Sequence, residues 1–567
     1  MSRRPDTTSR EPRRGTGPVP GFGAMPVVIA LAAAAAAAAI RWHLLDVPLE
    51  RDEGEYAYAG RLLLEGVPPF RSVYGMKLPG THVAYAAAIA LLGPTPAAVR
   101  SGLLAVNLAS TALVFLLGRS WLGAIGGMGA AVAFAFLSLQ TAMLGPFGHA
   151  THFVVLPALA GLLALERALG STARRGAWIA GAGLALGVAV VMKQPGVVFL
   201  GFALARLVAA ERSGEGERPG RRMLPRDALL LVGAAALPTA LVLLWAALSG
   251  DLAHVAGWLF GYGAGYAAPL PLAEGALWLR IALGAIVRQA PLLWALVGAG
   301  LVLALLPGER VPHRARLLVL LGFSFLGVCP GLTFREHYFL LAMPAAALLA
   351  GAAVAALARA LARRGGASTA FAAAALLVLL AGAQSLWAPR TLLFFSTPEQ
   401  VSRVIFGDNP FPESAGIAAW LAAHTAPDDR IAVFGSEPQI PFLAGRRSAT
   451  GHVYMYPLLE VQPKARAMQE EMMREVAAVR PAYVVSIRVP TSWVRHEGAD
   501  ARILDEMQTY LRDGYAPCGF VVAQPDGSSR FLWEAEATEP TPNPDEVVAI
   551  VMRRRDLAAR EPSGMPR

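Results

Sequence analysis

A succession of long apolar runs, separated by short charged connectors, constrains this chain more than any other feature. The first covers residues 24–45, and as a helix it would be about 33 Å long, enough to cross a bilayer. Apolar residues make up 55% of the chain and charged residues only 16%, where a soluble protein carries roughly 25% charged. Mean hydropathy is +0.47. These values exclude an ordinary soluble fold and predict a polytopic α-helical membrane protein with 11–13 transmembrane helices. The formal charge of +10 does not point to nucleic acid, because arginine gathers in the N-terminal stretch and in short loops, as membrane topology requires. Two cysteines, Cys329 and Cys518, are too few for a disulfide framework.

Residues 1–23, "MSRRPDTTSREPRRGTGPVPGFG", read as a disordered cytoplasmic tail ahead of an uncleaved first span. The connectors "STARRGA", "ERSGEGERPGRRMLPRD", "PGERVPHRAR" and "ARRGGAS" are basic and belong on the cytoplasmic side. The membrane domain is then 24–388, its first extracytoplasmic loop is 46–80, and the chain after 388 lies outside. One conflict of parity follows. The loop 46–80 and "GPFGHATHF" (145–153) belong on the same side, yet three apolar runs lie between them. One run must stop short or fold back, and the shortest is 81–93. Residues 389–540 alternate helix-like stretches with short apolar runs such as "RIAVFG", "AYVVSI" and "CGFVVAQ", which predicts an extracytoplasmic α/β domain. Residues 541–567 read as a disordered tail.

Charge returns abruptly in "LLDVPLERDEGEYAYAGRLLLEG" (44–66). Asp52 is placed to cap a helix that carries Tyr56, Leu63 and Leu64 along the interface and ends at Gly66 and Pro68–Pro69. That cap is one reading of Asp52; carboxylate chemistry at the membrane surface is the other. Two acids at full membrane depth would cost about 2.5–3.5 kcal/mol each, which an interfacial position avoids. Glu55 and Glu65 read as solvated helix charges. Lys77, Lys193 and Arg335 fall on the outer side, where positive charge is disfavoured; they either snorkel or bind an anion. His149 and His152 are spaced to share a helical face, but a metal site needs more ligands, and no dense cluster demands one. Ser436 lacks the G-x-S-x-G frame of a hydrolase, and G-x-G-x-x-G is absent around it.

The order of these segments is informative. "DEGEY" directly after the first span is followed by "LLLEGVPPF", "KLPG", "LLGPTPAAVRSG", "VMKQPGVV" and "REHYFLLAMPAAALLAG". Together they resemble the GT-C class of membrane glycosyltransferases, in the branch of protein O-mannosyltransferases and the lipid A aminoarabinose transferase, over most of residues 40–390. The resemblance implies a GT-C-like fold that moves a sugar from a polyprenyl-phosphate-linked donor to a hydroxyl on the extracytoplasmic side. It makes Asp52 the base, with Glu53 orienting it, binding acceptor or holding a metal. Tyr56 falls at the family's aromatic position, where it would line the substrate site by packing beneath it, and His337 with Tyr338 fall at its His-Tyr position, where they would contact substrate. Related enzymes sometimes use a divalent metal. The region around Ser436 would be an accessory domain, with Arg446 and Arg447 as surface or headgroup contacts.

The chemistry agrees. The departing phosphate gains negative charge as the glycosidic bond breaks, and cations such as Lys77, Lys193 and Arg335 would stabilise that transition state. Expected partners are the lipid-linked donor, a lipid, glycan or protein acceptor, and a bacterial inner membrane, with no nucleic acid. Two other classes stand beside this reading: a transporter or flippase of lipid-linked glycans, and a non-catalytic scaffold of envelope assembly. A transporter would be expected to carry ionisable residues within its spans, whereas here they gather at one face, and no inverted repeat is evident.

Overall fold

The computed structural model describes residues 23–558, apart from 171–172, 216–223, 267, 269, 309, 525 and 538–541. The tail expected over 1–23 lies outside the described residues, Gly23 excepted. Helix α1 (Met25–His43) starts with Pro26 in its first turn and buries Ala30, Ala33, Ala37, Ile40 and Arg41, a stripe at helical spacing. Short helix α2 (Arg51–Leu64) follows, then α3 (Gly80–Leu92) and α4 (Pro96–Leu137).

Helix α4 has 42 residues. That is about 63 Å of helix, twice the thickness of a bilayer core. It breaks at Gly123, whose φ of 79° is open to glycine. Beyond the break the chain doubles back, and a Cβ on Gly127 would stand 2.7 Å from the Arg119 nitrogen. Both ends of this hairpin sit at one face, because Arg100 bonds to the Leu44 carbonyl and Arg41 bonds to that of Ser138. Helix α3 begins at the same face, with Gly80 against Val191 and Met192, and its 13 residues reach only about 20 Å. The run at 81–93 therefore does not cross, which removes the parity conflict.

Helices α5 (Ala150–Leu169), α6 (Arg175–Met192), α7 (Val197–Arg212) and α8 (Leu224–Leu248) continue the bundle, and Met343–Ala362 and Ala367–Ser385 complete it. Among the described residues eight helices are long and apolar enough to cross a membrane, or nine if the bent pair Leu272–Gln289 and Pro291–Leu305 is one span. The expected 11–13 are reached only by also counting the second limb of α4 and Arg314–Leu326, while α3 falls out of the count. One apolar core runs through the bundle. One close seam is Gly126, Gly129 and Gly351, where small residues let two backbones approach.

The C-terminal part forms a mixed sheet in the order β2-β1-β3-β6-β4-β5. Strands β1 (Arg430–Phe434), β2 (Arg447–Ser448) and β3 (Tyr483–Ile487) pair in parallel, while β4 (Tyr515–Ala523), β5 (Ser529–Trp533) and β6 (Val547–Arg554) pair antiparallel. Strand β6 corrects the expected tail at 541–567. Its "VVAIVMRR" run lies in the middle of the sheet, with Val551 opposite Val485, because burial on both faces favours a continuous apolar strand.

Helix α2 also differs from expectation. Leu64 is half exposed, but Glu53 to Gly60 are all buried. The helix is enclosed between α3 and the C-terminal domain instead of lying on an interface. Gly54 and Gly60 permit this, since a Cβ on either would come within 2.8 Å of the backbone at Gln439 or Ala86. The C-terminal domain thus roofs the first loop.

Candidate active site

The start of α2 decides what Asp52 is free to do. The helix cap is Glu50, whose carboxylate accepts from the Asp52 and Glu53 amides while Glu53 returns a bond to the Glu50 amide. This reciprocal capping box replaces the expected cap by Asp52. Asp52 is left one turn-position inside the helix with its carboxylate available.

Three groups converge on it. Lys77 Nζ lies 3.0 Å from Asp52 Oδ1, and the Tyr454 hydroxyl donates to the same oxygen at 2.7 Å. His149 Nδ1 stands 3.5 Å from Oδ2. Burial would raise the Asp52 pKa, but Lys77, His149 and His337 outweigh it and hold the carboxyl well below the usual range. Asp52 is therefore ionised at neutral pH. Glu50, by contrast, is pushed up to about 7, mainly by burial.

Glu53, the other expected catalytic acid, is turned inward. It is fully buried, pairs with Arg100 at 2.7 Å and accepts from the Gly148 amide at 2.6 Å. It thereby fixes the loop that carries His149, so its geometry suits a positioning residue. Glu55 corrects the solvated-charge reading. It is buried and pairs with Lys77 at 2.6 Å, and burial raises its pKa.

Tyr56 packs under the site against Tyr85 and His82, with Lys77 Nζ 4.6 Å from its ring centre. Lys77 itself is held between Asp52 and Glu55, which differs from an open phosphate ligand. Loss of its charge in Lys77→Met is expected to raise the Asp52 pKa, because Lys77 is the largest charge holding it down. The acid limb of the pH–activity profile would move upward with it. Stability follows the same sign: the Asp52 contribution is present above the ordinary carboxylate range and is lost as pH falls through its lowered pKa.

Lys193 is in a different setting: burial lowers its ammonium pKa to about 7, so an anion bound beside it would favour its charged form. Its Nζ lies 3.3 Å from His337 Nε2 and 4.3 Å from the Tyr338 ring centre, and no carboxylate pairs with it among the described residues. His337 stacks on His149 at 4.3 Å with rings 7° from parallel. Arg335 precedes them, exposed and without an ion pair among the described residues. Asp52, Tyr56, Lys77, Lys193, His337 and Tyr338 thus come together, and Arg335 stands at the rim.

His149 and His152 do not share a metal face. His149 instead joins Asp52 and His337, and one donor atom of each lies within 4.8 Å of the others. Neither ring nitrogen of buried His149 makes a hydrogen bond. Two imidazoles and a carboxylate match the donor set of a zinc or similar divalent ion.

The C-terminal domain supplies what sequence reading missed. Arg51 reaches across to the Ser436 carbonyl, Glu437, Tyr456 and Asn409, and the segment it anchors delivers Tyr454. Ser436 is a structural hydroxyl, bonded to the Ser492 carbonyl and the Met455 amide. Arg446 is buried against the carbonyls of Ala422, Ala444 and Thr425 and so is not a headgroup contact, while Arg447 pairs with Glu65.

A helical bundle roofed by a small α/β domain, with acids and cations gathered under the roof, is a fold shared with solved structures of membrane-embedded glycosyltransferases. No protein-family model and no curated protein matches the sequence. Among solved structures, ArnT from Cupriavidus metallidurans in the apo state is similar at TM-score 0.56 and 16% identity, covering 94% of this chain and 98% of that one. The same enzyme bound to undecaprenyl phosphate matches at TM-score 0.54 and 16% identity, over 93% and 98%. The oligosaccharyltransferase AglB from Archaeoglobus fulgidus, in complex with an inhibitory peptide and a dolichol-phosphate, matches at 0.54 and 15% identity, over 91% and 75%.

Proposed function

We propose that this chain transfers a sugar from a polyprenyl-phosphate donor to an acceptor hydroxyl, with Asp52 as the base. The observation that carries the reading is a carboxylate held ionised by Lys77 and His149, with a lysine that no carboxylate pairs among the described residues, Lys193, beside His337 on the same face. The donor phosphate lies toward Lys193, His337 and Arg335, with Tyr338 beneath. The acceptor oxygen attacks the anomeric carbon from the other side and passes its proton to Asp52 Oδ2, while the carbon–oxygen bond to phosphate breaks with its electron pair on the phosphate. Attack opposite the leaving group inverts the anomeric centre. Lys193 meets charge that grows only as that bond breaks, so it favours the transition state over the bound donor. A divalent ion held by Asp52, His149 and His337 would supply further positive charge.

Arginines mark the ends of the bundle away from the site: Arg119 at the α4 reversal, Arg167 and Arg175 between α5 and α6, and Arg212 closing α7. The positive-inside rule supports a cytoplasmic position for that end and an extracytoplasmic site in a bacterial inner membrane.

Purified protein in nanodiscs, given a panel of polyprenyl-phosphate sugars, is expected to release polyprenyl phosphate from one of them. Release from none, with scrambling of the intact donor across liposomes, would instead support a flippase. Lys193→Ala is expected to lower kcat/KM for the donor by about 10²-fold, the scale of one lost charge-assisted contact in a buried site; an unchanged value would remove Lys193 from the phosphate site. Tyr454→Phe is expected to lower kcat by about tenfold through loss of one hydrogen bond to a charged group, leaving donor KM unchanged. Equal losses in both would mean that Tyr454 only supports the fold.

A further inference from the structure

The last apolar helix, Ala367–Ser385, leads into a stretch whose apolar surface outlasts the helix itself. Leu376, Leu380 and Ala383 are exposed along one side, and Trp387 continues their helical spacing at 68% exposure. Pro389 then starts the short helix Arg390–Phe394. It sets Leu392 and Leu393 into the bundle core and leaves Phe394 and Phe395 outside, the latter 78% exposed. Residues 386–398 hold no acid. Their one charge, Arg390, lies 4.4 Å over the centre of the Trp387 ring.

We propose that residues 386–395 are an interfacial anchor, seated at the headgroup level of the leaflet on the site's side, with Trp387, Phe394 and Phe395 immersed in lipid. Such an anchor is independent of sugar transfer and would serve any activity of the site.

The surroundings favour lipid as the occupant. Exposed apolar side chains scattered singly are ordinary, but these three aromatics follow directly on a stripe that already faces lipid. Helix α1 packs against Arg390–Phe394 and ends at the same face, where Trp42 is 69% exposed. Tryptophans at the ends of neighbouring apolar helices form the aromatic belt of a membrane surface. Arg390 on Trp387 suits that depth, since a guanidinium stacked on an interfacial ring reaches the lipid phosphates.

Short connections tie the anchor to the site. Thr397 and Gln400 make a reciprocal capping box that starts the helix Pro398–Phe406. At its end the Phe406 ring packs 4.9 Å from that of Phe147, and Asn409 beyond it accepts from Arg51. Phe147 belongs to the loop that carries His149, and Arg51 directly precedes Asp52. The bilayer surface thereby sets the height of the roof over both sides of the site.

The depth of Phe395 is the test, measured on the full chain in nanodiscs of phosphatidylethanolamine and phosphatidylglycerol. A spin label is attached at Phe395→Cys in a chain that also carries Cys329→Ser and Cys518→Ala, the two native cysteines. Leu380→Cys on the lipid-facing stripe and Asp513→Cys on the exposed surface of the C-terminal domain serve as references. The label at position 395 is expected to collide with dissolved oxygen and to be shielded from an aqueous nickel chelate, as at position 380. Nickel access equal to that at position 513 would overturn the anchor. Shielding from both reagents, or spin–spin broadening between chains, would place a protein partner or a second copy on the patch and overturn it equally. The tie to the site has its own readout, hydrogen exchange of Phe394→Ser/Phe395→Ser in the same nanodiscs. Exchange over residues 145–149 is expected to rise, while the thermal midpoint in detergent stays unchanged because both side chains are exposed. Unchanged exchange would separate the anchor from the site.

Discussion

An Arg100→Leu chain is expected to lose about 3–5 kcal/mol of stability, the cost of leaving a buried charge without its partner. Arg100 and Glu53 are 2% and 0% exposed at their side chains and 2.7 Å apart. Arg100 also bonds to the carbonyls of Leu44 and Pro48, which close α1 onto the first loop. Glu53 also holds the Gly148 amide. Removal of the guanidinium leaves that carboxylate in an apolar surrounding and frees the 145–149 loop. The thermal midpoint in detergent should fall steeply, and activity should fall with it as His149 leaves Asp52. The double variant Glu53→Leu/Arg100→Leu should recover part of the stability, since no isolated charge remains, but not the activity, since the Gly148 contact is gone. If Arg100→Leu unfolds with the wild type, the pair is not the brace described here.

Asp52→Asn is expected to lower the transfer rate by about 10²–10⁴-fold, which corresponds to about 2.7–5.4 kcal/mol of barrier. The amide keeps the shape of the carboxylate and can still accept from Tyr454, so stability should change little. What it cannot do is take the acceptor proton. The low pKa of Asp52 adds a second signature. Because Lys77, His149 and His337 hold it ionised, wild-type activity should persist to pH values below the ordinary carboxylate range, until Asp52 protonates. A variant that retains full rate would assign proton removal to another group.

Much of the site was legible because its parts are ordered along the chain. "DEGEY", "KLPG", "VMKQPG" and "REHY" each bring one of Asp52, Lys77, Lys193 and His337 to the same face. The helical bundle followed from apolar length alone. The cap was misassigned because aspartate is a preferred N-cap and glutamate is not. The signal lay in Glu50 and Glu53, spaced three apart as a capping box. Glu55 looked solvated because charge beside a membrane usually is, and only the roof of the C-terminal domain buries it. Tyr454 had no local signature: its partner lies 402 residues away in sequence. His149 was paired with His152 by helical spacing, yet it sits at the N-cap of α5, outside the helical repeat that the spacing assumed. Strand β6 was hidden by the proline-rich "EPTPNPDE" before it, which reads as the onset of a tail.

The account turns on Asp52 as the base of sugar transfer from a lipid phosphate. Radiolabelled sugar on a polyprenyl-phosphate panel, followed in nanodiscs with wild type and Asp52→Asn side by side, tests that claim most directly. The prediction is that label leaves one donor in the wild type and stays on it in the variant, with donor affinity retained. Label that leaves at equal rates in both, or in neither, would contradict it.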